Sequence, residues 1–196
     1  MPILDYRKRE VHCKVVYYGT ALGGKTTNLR YIHDQLTEDT RGELTVLATQ
    51  TDRTLFFDFL PLDLGTVNDM KVRFALFTVP GQVEYNASRQ VILNGADAIV
   101  FVADSDPNRA QANKESLQNM ADNLATYKLS LDSIPWVLQY NKRDLSDAMP
   151  YKLMEAELND YNVPSFEAVA SEGQGVFATL KGISKLMLDN ITSVIK

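Results

Sequence analysis

The chain has 196 residues, 45% of them hydrophobic and 23% charged, enough for one domain with a sizeable core and no low-complexity tract. The formal net charge is −5 and no dense Lys/Arg run occurs, which argues against nucleic acid as a partner. A single cysteine, Cys13, excludes an internal disulfide and fits a reducing, cytoplasmic setting.

No stretch approaches the roughly 18 apolar residues of a membrane span. Met1-Pro2-Ile3-Leu4-Asp5 has neither a signal peptide's apolar region nor a myristoylation glycine, and Ser193-Val194-Ile195-Lys196 offers no prenylation cysteine. The expectation is a chain without a permanent membrane anchor. Recruitment to a membrane or a cell pole would come through a partner.

In chain order, Val11–Tyr18 reads as a strand, followed by a Gly-rich turn and a helix from about Lys25 to Leu36. The turn, Gly19-Thr20-Ala21-Leu22-Gly23-Gly24-Lys25-Thr26, fits G-x-x-x-x-G-K-S/T in the required strand–turn–helix context. Glycines at this spacing let successive N–H groups point inward at phosphate oxygens, beside the positive end of a helix dipole. Lys25 is expected on the β- and γ-phosphates, the Thr26 hydroxyl on Mg²⁺ and Thr27 on the α-phosphate. The motif by itself does not separate GTP from ATP.

Thr54–Leu60 and Lys71–Val79 are strands joined by a turn around Asn68-Asp69, too short for a crossover helix and so an antiparallel hairpin. Asp58 lies inside the first of them. An aspartate there either faces solvent from an edge strand or meets a cation, and the solvated position is the expected one. Ala98–Ala103 is a buried strand running into Asp104. Ser105-Asp106-Pro107 then supplies a cap and a first-turn proline for a helix with Ala110, Leu117, Met120, Leu124 and Tyr127 on one face.

Trp136–Tyr140 is the next strand, and Asn141-Lys142-Arg143-Asp144 follows it. A carboxylate at Asp144 can accept from guanine's ring N–H and exocyclic amino group, a donor pair that adenine lacks. Asn141 would tie this loop to the P-loop, and the Lys142 stem would cover one face of the base. Tyr151–Leu158 is a helix and Phe166–Val169 a short last strand. Val169-Ala170-Ser171 either offers the Ala170 N–H to the guanine carbonyl or is an ordinary strand-end turn. Val176, Leu180, Ile183, Met187, Ile191 and Val194 mark one face of a C-terminal helix. Alternating strands and helices imply an α/β fold in one domain, a mixed and mainly parallel sheet with helices on both faces. Ligands bind such sheets at the carboxyl ends of the strands, where these motifs fall.

Several blocks together resemble the Ras-like small GTPases, and more narrowly the bacterial polarity and gliding-motility GTPases of the MglA family. They are Val16-Tyr17-Tyr18-Gly19, Gly24-Lys25-Thr26-Thr27-Asn28-Leu29, Thr51-Asp52-Arg53-Thr54-Leu55-Phe56-Phe57-Asp58-Phe59-Leu60-Pro61, Thr78-Val79-Pro80-Gly81-Gln82-Val83, Val100-Phe101-Val102-Ala103-Asp104-Ser105 and Gln139-Tyr140-Asn141-Lys142-Arg143-Asp144. The resemblance implies a switch alternating between GTP and GDP with Mg²⁺, a roadblock-fold MglB-type activating dimer, and polarity or motility effectors. By position, it makes Thr54 the switch-I Mg²⁺ ligand, Gln82 the orienter of attacking water and Arg53 an arginine finger in cis. Gly81 suits close approach to the γ-phosphate; Arg53 on its own would read as a solvated loop arginine.

Two departures stand out. The usual D-x-x-G is here Thr78-Val79-Pro80-Gly81, without the strand-end aspartate, and Thr20-Ala21 replaces the Pro-Gly expected of the family. The competing readings are a nucleotide-dependent binding module with negligible turnover and, more remotely, a P-loop kinase or ATPase, for which no acceptor-site or lid segment is visible.

Overall fold

The computed structural model describes residues 2–47, 57–67 and 69–194. In chain order the elements are β1 (Ile3–Asp5), β2 (Glu10–Gly19), α1 (Lys25–Gln35), β3 (Thr45–Leu47), β4 (Phe57–Val67), β5 (Met70–Thr78), α2 (Asn86–Leu93), β6 (Ala98–Asp104), α3 (Ala110–Ala125), β7 (Trp136–Asn141), α4 (Tyr151–Leu158), β8 (Ser165–Glu167) and α5 (Val176–Val194). The strands form one eight-stranded sheet in the order β3-β4-β5-β2-β6-β7-β8, with β1 paired to the start of β2. The run β5-β2-β6-β7-β8 is parallel throughout.

The central strands are apolar on both faces because helices cover both. Along β2, Val11, Cys13, Val15 and Tyr17 enter one core, shared with Leu29 and Ile32 of α1 and Leu180, Ile183 and Met187 of α5. Val16 and Tyr18 enter the other, with Ile92 and Leu93 of α2, Met120 and Leu124 of α3, and Met154 and Leu158 of α4. β6 divides in the same way, Val100 and Val102 against Ile99 and Phe101, as the two-residue period of a strand requires.

The antiparallel part is larger than the one hairpin expected from the sequence. β4 pairs antiparallel with β5 and closes at Val67–Met70, as a hairpin should, but it also carries β3 on its outer side. Runs of three residues such as Ile3–Asp5 and Thr45–Leu47 are too short for an alternation to be read. The helix α2 escapes for another reason: half of what it buries is polar, Ser88 and Arg89 beside Ile92 and Leu93. Ahead of α3 the capping works through Asp106, whose carboxylate accepts the Asn108 N–H at 2.8 Å, with Pro107 in the first turn. Tyr127 lies past the end of α3, and its hydroxyl donates to the Gln90 carbonyl at 2.9 Å. Among the described residues no helix is long and apolar enough to cross a membrane.

Candidate nucleotide site

β2 ends at Gly19 in the middle of the sheet, and α1 begins at Lys25, so the loop between them lies at the carboxyl edge of the parallel strands. Gly24 caps α1 with φ +102°, and a Cβ there would fall 2.1 Å from Asn141 Nδ2. Only glycine lets the two loops touch. The Lys25 ammonium donates to the carbonyls of Gly19 (2.9 Å) and Thr20 (2.6 Å). Burial pulls this ammonium down to about 7; Arg89 and Arg109 act in the same direction, while Asp58 opposes them. The positive fields of Lys25, Arg89 and Arg109 together make this end of the loop a place for anionic oxygens. Arg109, from the turn ahead of α3, donates to the Ala21 carbonyl at 3.0 Å. A cleft of about 780 Å³ opens here, lined by Ala21, Gly24, Lys25, Thr26 and Thr27 on the loop side, with Leu22 exposed at its mouth.

Asp58 corrects the solvated position expected for it. It is 5% exposed, and its Oδ2 accepts the hydroxyls of Thr26 (2.6 Å) and Thr78 (2.8 Å). The Thr78 hydroxyl in turn accepts the Asp58 N–H at 2.8 Å. The antiparallel register that sets Phe59 opposite Phe77 brings these two residues level. Two hydroxyls and a carboxylate within hydrogen-bond reach beside the phosphate loop form a hard, oxygen-only set, which fits Mg²⁺ better than a softer metal.

Gly81 lies against the P-loop: a Cβ on it would fall 2.2 Å from Ala21 N and 2.4 Å from Ala21 Cα. Gln82 is exposed at the rim of the same cleft. The segment Pro80–Ser88 contains a 3₁₀ turn at Val83–Tyr85 and the start of α2. Arg89 of α2 holds it down, donating to the carbonyls of Pro80 (3.2 Å) and Gln82 and to Asn119 Oδ1 of α3 (2.8 Å). Arg53 and Thr54 lie outside the described residues.

On the other side of the loop, Leu22, Gly24, Thr27, Asn141, Lys142, Asp144, Ala170 and Ser171 line a second cleft of about 230 Å³. Asn141 is buried; its Nδ2 donates to the Gly23 carbonyl at 2.8 Å and its Oδ1 accepts the Ala170 N–H at 2.9 Å. The amide that one of the two readings gave to a guanine carbonyl is therefore engaged with Asn141. Ala170 serves to fix Asn141, because the turn after β8 delivers its amide onto that side chain. Lys142 pairs with the buried Asp104 at 2.6 Å, which holds its stem along the cleft. The Asp144 carboxylate is exposed at the cleft, and no hydrogen bond or ion pair to it is recorded among the described residues.

Sequence reasoning missed Asp104, Arg89 and Arg109 as parts of the site. Asp104 is a lone charge at a strand end, Arg109 one at the start of a helix and Arg89 one in a stretch given no element, and nothing local marks the distant partner of any of them. A larger cavity, about 850 Å³, lies elsewhere, among His12, Lys14, Arg41, Pro61, Arg73 and Asp97. Its lining includes no residue of the Gly19–Thr26 loop or of Asn141–Asp144, so the chemistry points to the smaller clefts.

The sequence profile of the ADP-ribosylation factor family matches residues 3–187. The mutual gliding-motility protein MglA of Myxococcus xanthus (strain DK1622) is 53% identical over 191 residues, covering 97% of this chain and 98% of that protein. A P-loop whose two flanking clefts share Leu22, Gly24 and Thr27, carried on this sheet, agrees with both matches. The chain belongs to the ADP-ribosylation factor family, and among the Ras-like small GTPases it is of the MglA type.

Proposed function

We propose that this protein is a GTP-binding molecular switch that hydrolyses GTP to GDP and phosphate and acts in gliding motility or cell polarity. The observation that carries the proposal is the pair of adjoining clefts, with the Lys25 ammonium at one end and the available Asp144 carboxylate at the other. Phosphates would lie against the loop amides and Lys25. The base would lie between Lys142 and Leu22, with its N–H donors on Asp144. Thr26 and Thr54 would hold Mg²⁺, which when bound neutralises charge building on the phosphate oxygens. Gln82 would orient the attacking water, and Arg53 would bring positive charge to the γ-phosphate in the transition state. Loss of that phosphate would release Thr37–Thr54 and Pro80–Ser88 and change the surface offered to partners.

The partners that fit this reading are a roadblock-fold MglB-type activating dimer and motility or polarity effectors, met in the cytoplasm. The contact between Gly81 and Ala21 favours a second reading, a switch whose bound nucleotide is read by partners and whose own turnover is negligible. One experiment tests both: identify the nucleotide that copurifies, then measure GTP hydrolysis with and without the roadblock dimer. Guanine nucleotide with stimulated turnover supports the enzyme; guanine nucleotide with no turnover in either case supports the binding module. Preference for adenine nucleotide would overturn both.

A further inference from the structure

We infer that Asp58 is the carboxylate of the Mg²⁺ site, brought in from β4 to fill the role that the end of β5 leaves unfilled at Thr78. The inference rests on the GTP–Mg²⁺ reading above. Mg²⁺ in nucleotide sites is held by one or two carboxylates together with phosphate oxygens and waters. Among the described residues, no group of three or more His, Cys, Asp or Glu could hold a metal, so a single well-placed carboxylate has to serve. Asp58 is the one acidic residue among the described residues lining the phosphate cleft.

The hydrogen bonds point the same way. A hydroxyl that gives a lone pair to a cation still carries a proton, and that proton needs an acceptor. Asp58 Oδ2, 2.6 Å from Thr26 Oγ1, already accepts it, so Thr26 can turn a lone pair to a cation with its proton still satisfied. Thr78 fixes the carboxylate from the opposite side, donating its hydroxyl proton to Oδ2 and accepting the Asp58 N–H. This pairing explains why threonine suits position 78. An aspartate there would set two carboxylates side by side in a buried place, and one of them would be driven to the neutral form. The negative charge has moved one strand across the sheet, from β5 to β4.

Release of methylanthraniloyl-GDP from the full chain, measured from EDTA up to millimolar MgCl₂, tests this without reference to turnover. In the parent, MgCl₂ should slow release. In Asp58→Asn the MgCl₂ concentration for half of that effect should rise roughly 10- to 100-fold, the range for lost metal-site partners. Asp58→Asn combined with Thr78→Asp should recover most of the shift, because the charge is returned from the other strand. If Asp58→Asn does not fold, Thr78→Val removes the hydroxyl that pins the carboxylate and should shift the half-point in the same direction by less. An unchanged half-point, or faster release by the same factor in EDTA and in MgCl₂, makes Asp58 a structural residue and overturns the inference alone. A parent whose GDP release ignores MgCl₂ overturns the Mg²⁺ reading with it.

Discussion

The Gly81 backbone rests on the backbone of Ala21, so closely that a Cβ on Gly81 would lie 2.2 Å from Ala21 N. A phosphate group cannot enter between atoms already in contact. If the nucleotide lies as proposed, with its γ-phosphate beside Ala21, a triphosphate would have to part this pair, whereas a diphosphate would not. Gly81→Ala should therefore destabilise the arrangement seen here by about 1–3 kcal/mol, the usual cost of overpacking. Thermal melts with GDP should fall by several degrees, and melts with a non-hydrolysable GTP analogue should fall less. Equal losses with both nucleotides would mean that the contact survives in both states.

Ala21→Gly acts on the other partner of the contact. Removing the methyl frees the loop backbone and clears space that Gln82, Arg53 and the attacking water would share. Misplacement by about 1 Å can cost roughly a hundredfold in rate. The glycine variant should hydrolyse GTP faster in single-turnover assays, with GTP affinity within a few-fold of the parent because Lys25 and the loop amides remain. Equal or slower hydrolysis would show that Ala21 is no brake.

Asp144→Asn tests the base cleft. The amide presents a donor to guanine's own N–H, so GTP binding should weaken by about 1.5–3 kcal/mol, the worth of hydrogen bonds to a charged group. Preference should move toward xanthosine triphosphate, whose carbonyl accepts from the amide. Competition titrations with the two nucleotides read the change, and undiminished GTP affinity would remove Asp144 from the site.

Arg53→Ala should slow activator-stimulated hydrolysis by a factor on the order of 10³. GTP affinity should hardly move, since the contact matters chiefly in the transition state. Hydrolysis at the parental rate in the presence of the roadblock dimer would leave Arg53 as an ordinary loop residue.

Burial pushes the Cys13 thiol up to about 12, with Asp97 adding to the effect. The thiol therefore stays protonated at neutral pH, and the thiolate is the reactive form. Iodoacetamide at pH 8 should leave Cys13 unmodified in the native protein and alkylate it once the chain is unfolded. Because the folded state holds this proton more tightly than the unfolded one, its contribution to stability is complete below about pH 9 and is lost as pH rises toward 12. Rapid native labelling, seen by mass spectrometry, would contradict the buried position on β2.

Much of the site could be read along the chain because its signals are local. The P-loop is a contiguous run between a strand and a helix, and Asn141-Lys142-Arg143-Asp144 follows its strand directly. The two core faces of β2 and the stripe of α5 follow from side-chain period alone. Less could be read where the chain is short or polar: β1 and β3 have three residues each, and α2 buries Arg89 and Ser88.

What the tertiary structure alone decided is which distant groups meet. The sequence by itself determined that a phosphate-binding loop and a guanine-type base loop stand at the carboxyl edge of an α/β sheet. It left Asp58 between solvent and cation, and register resolved it, because Thr78 on the neighbouring strand can hold that carboxylate inside. It left the Ala170 N–H between a ligand and an ordinary turn, and packing gave that amide to Asn141. It was silent on the pairing of Lys142 with Asp104 and on the approach of Gly81 to Ala21. Hydrogen bonds and close contacts across tens of residues depend on where folding brings each backbone, and no local pattern of residue types encodes that meeting.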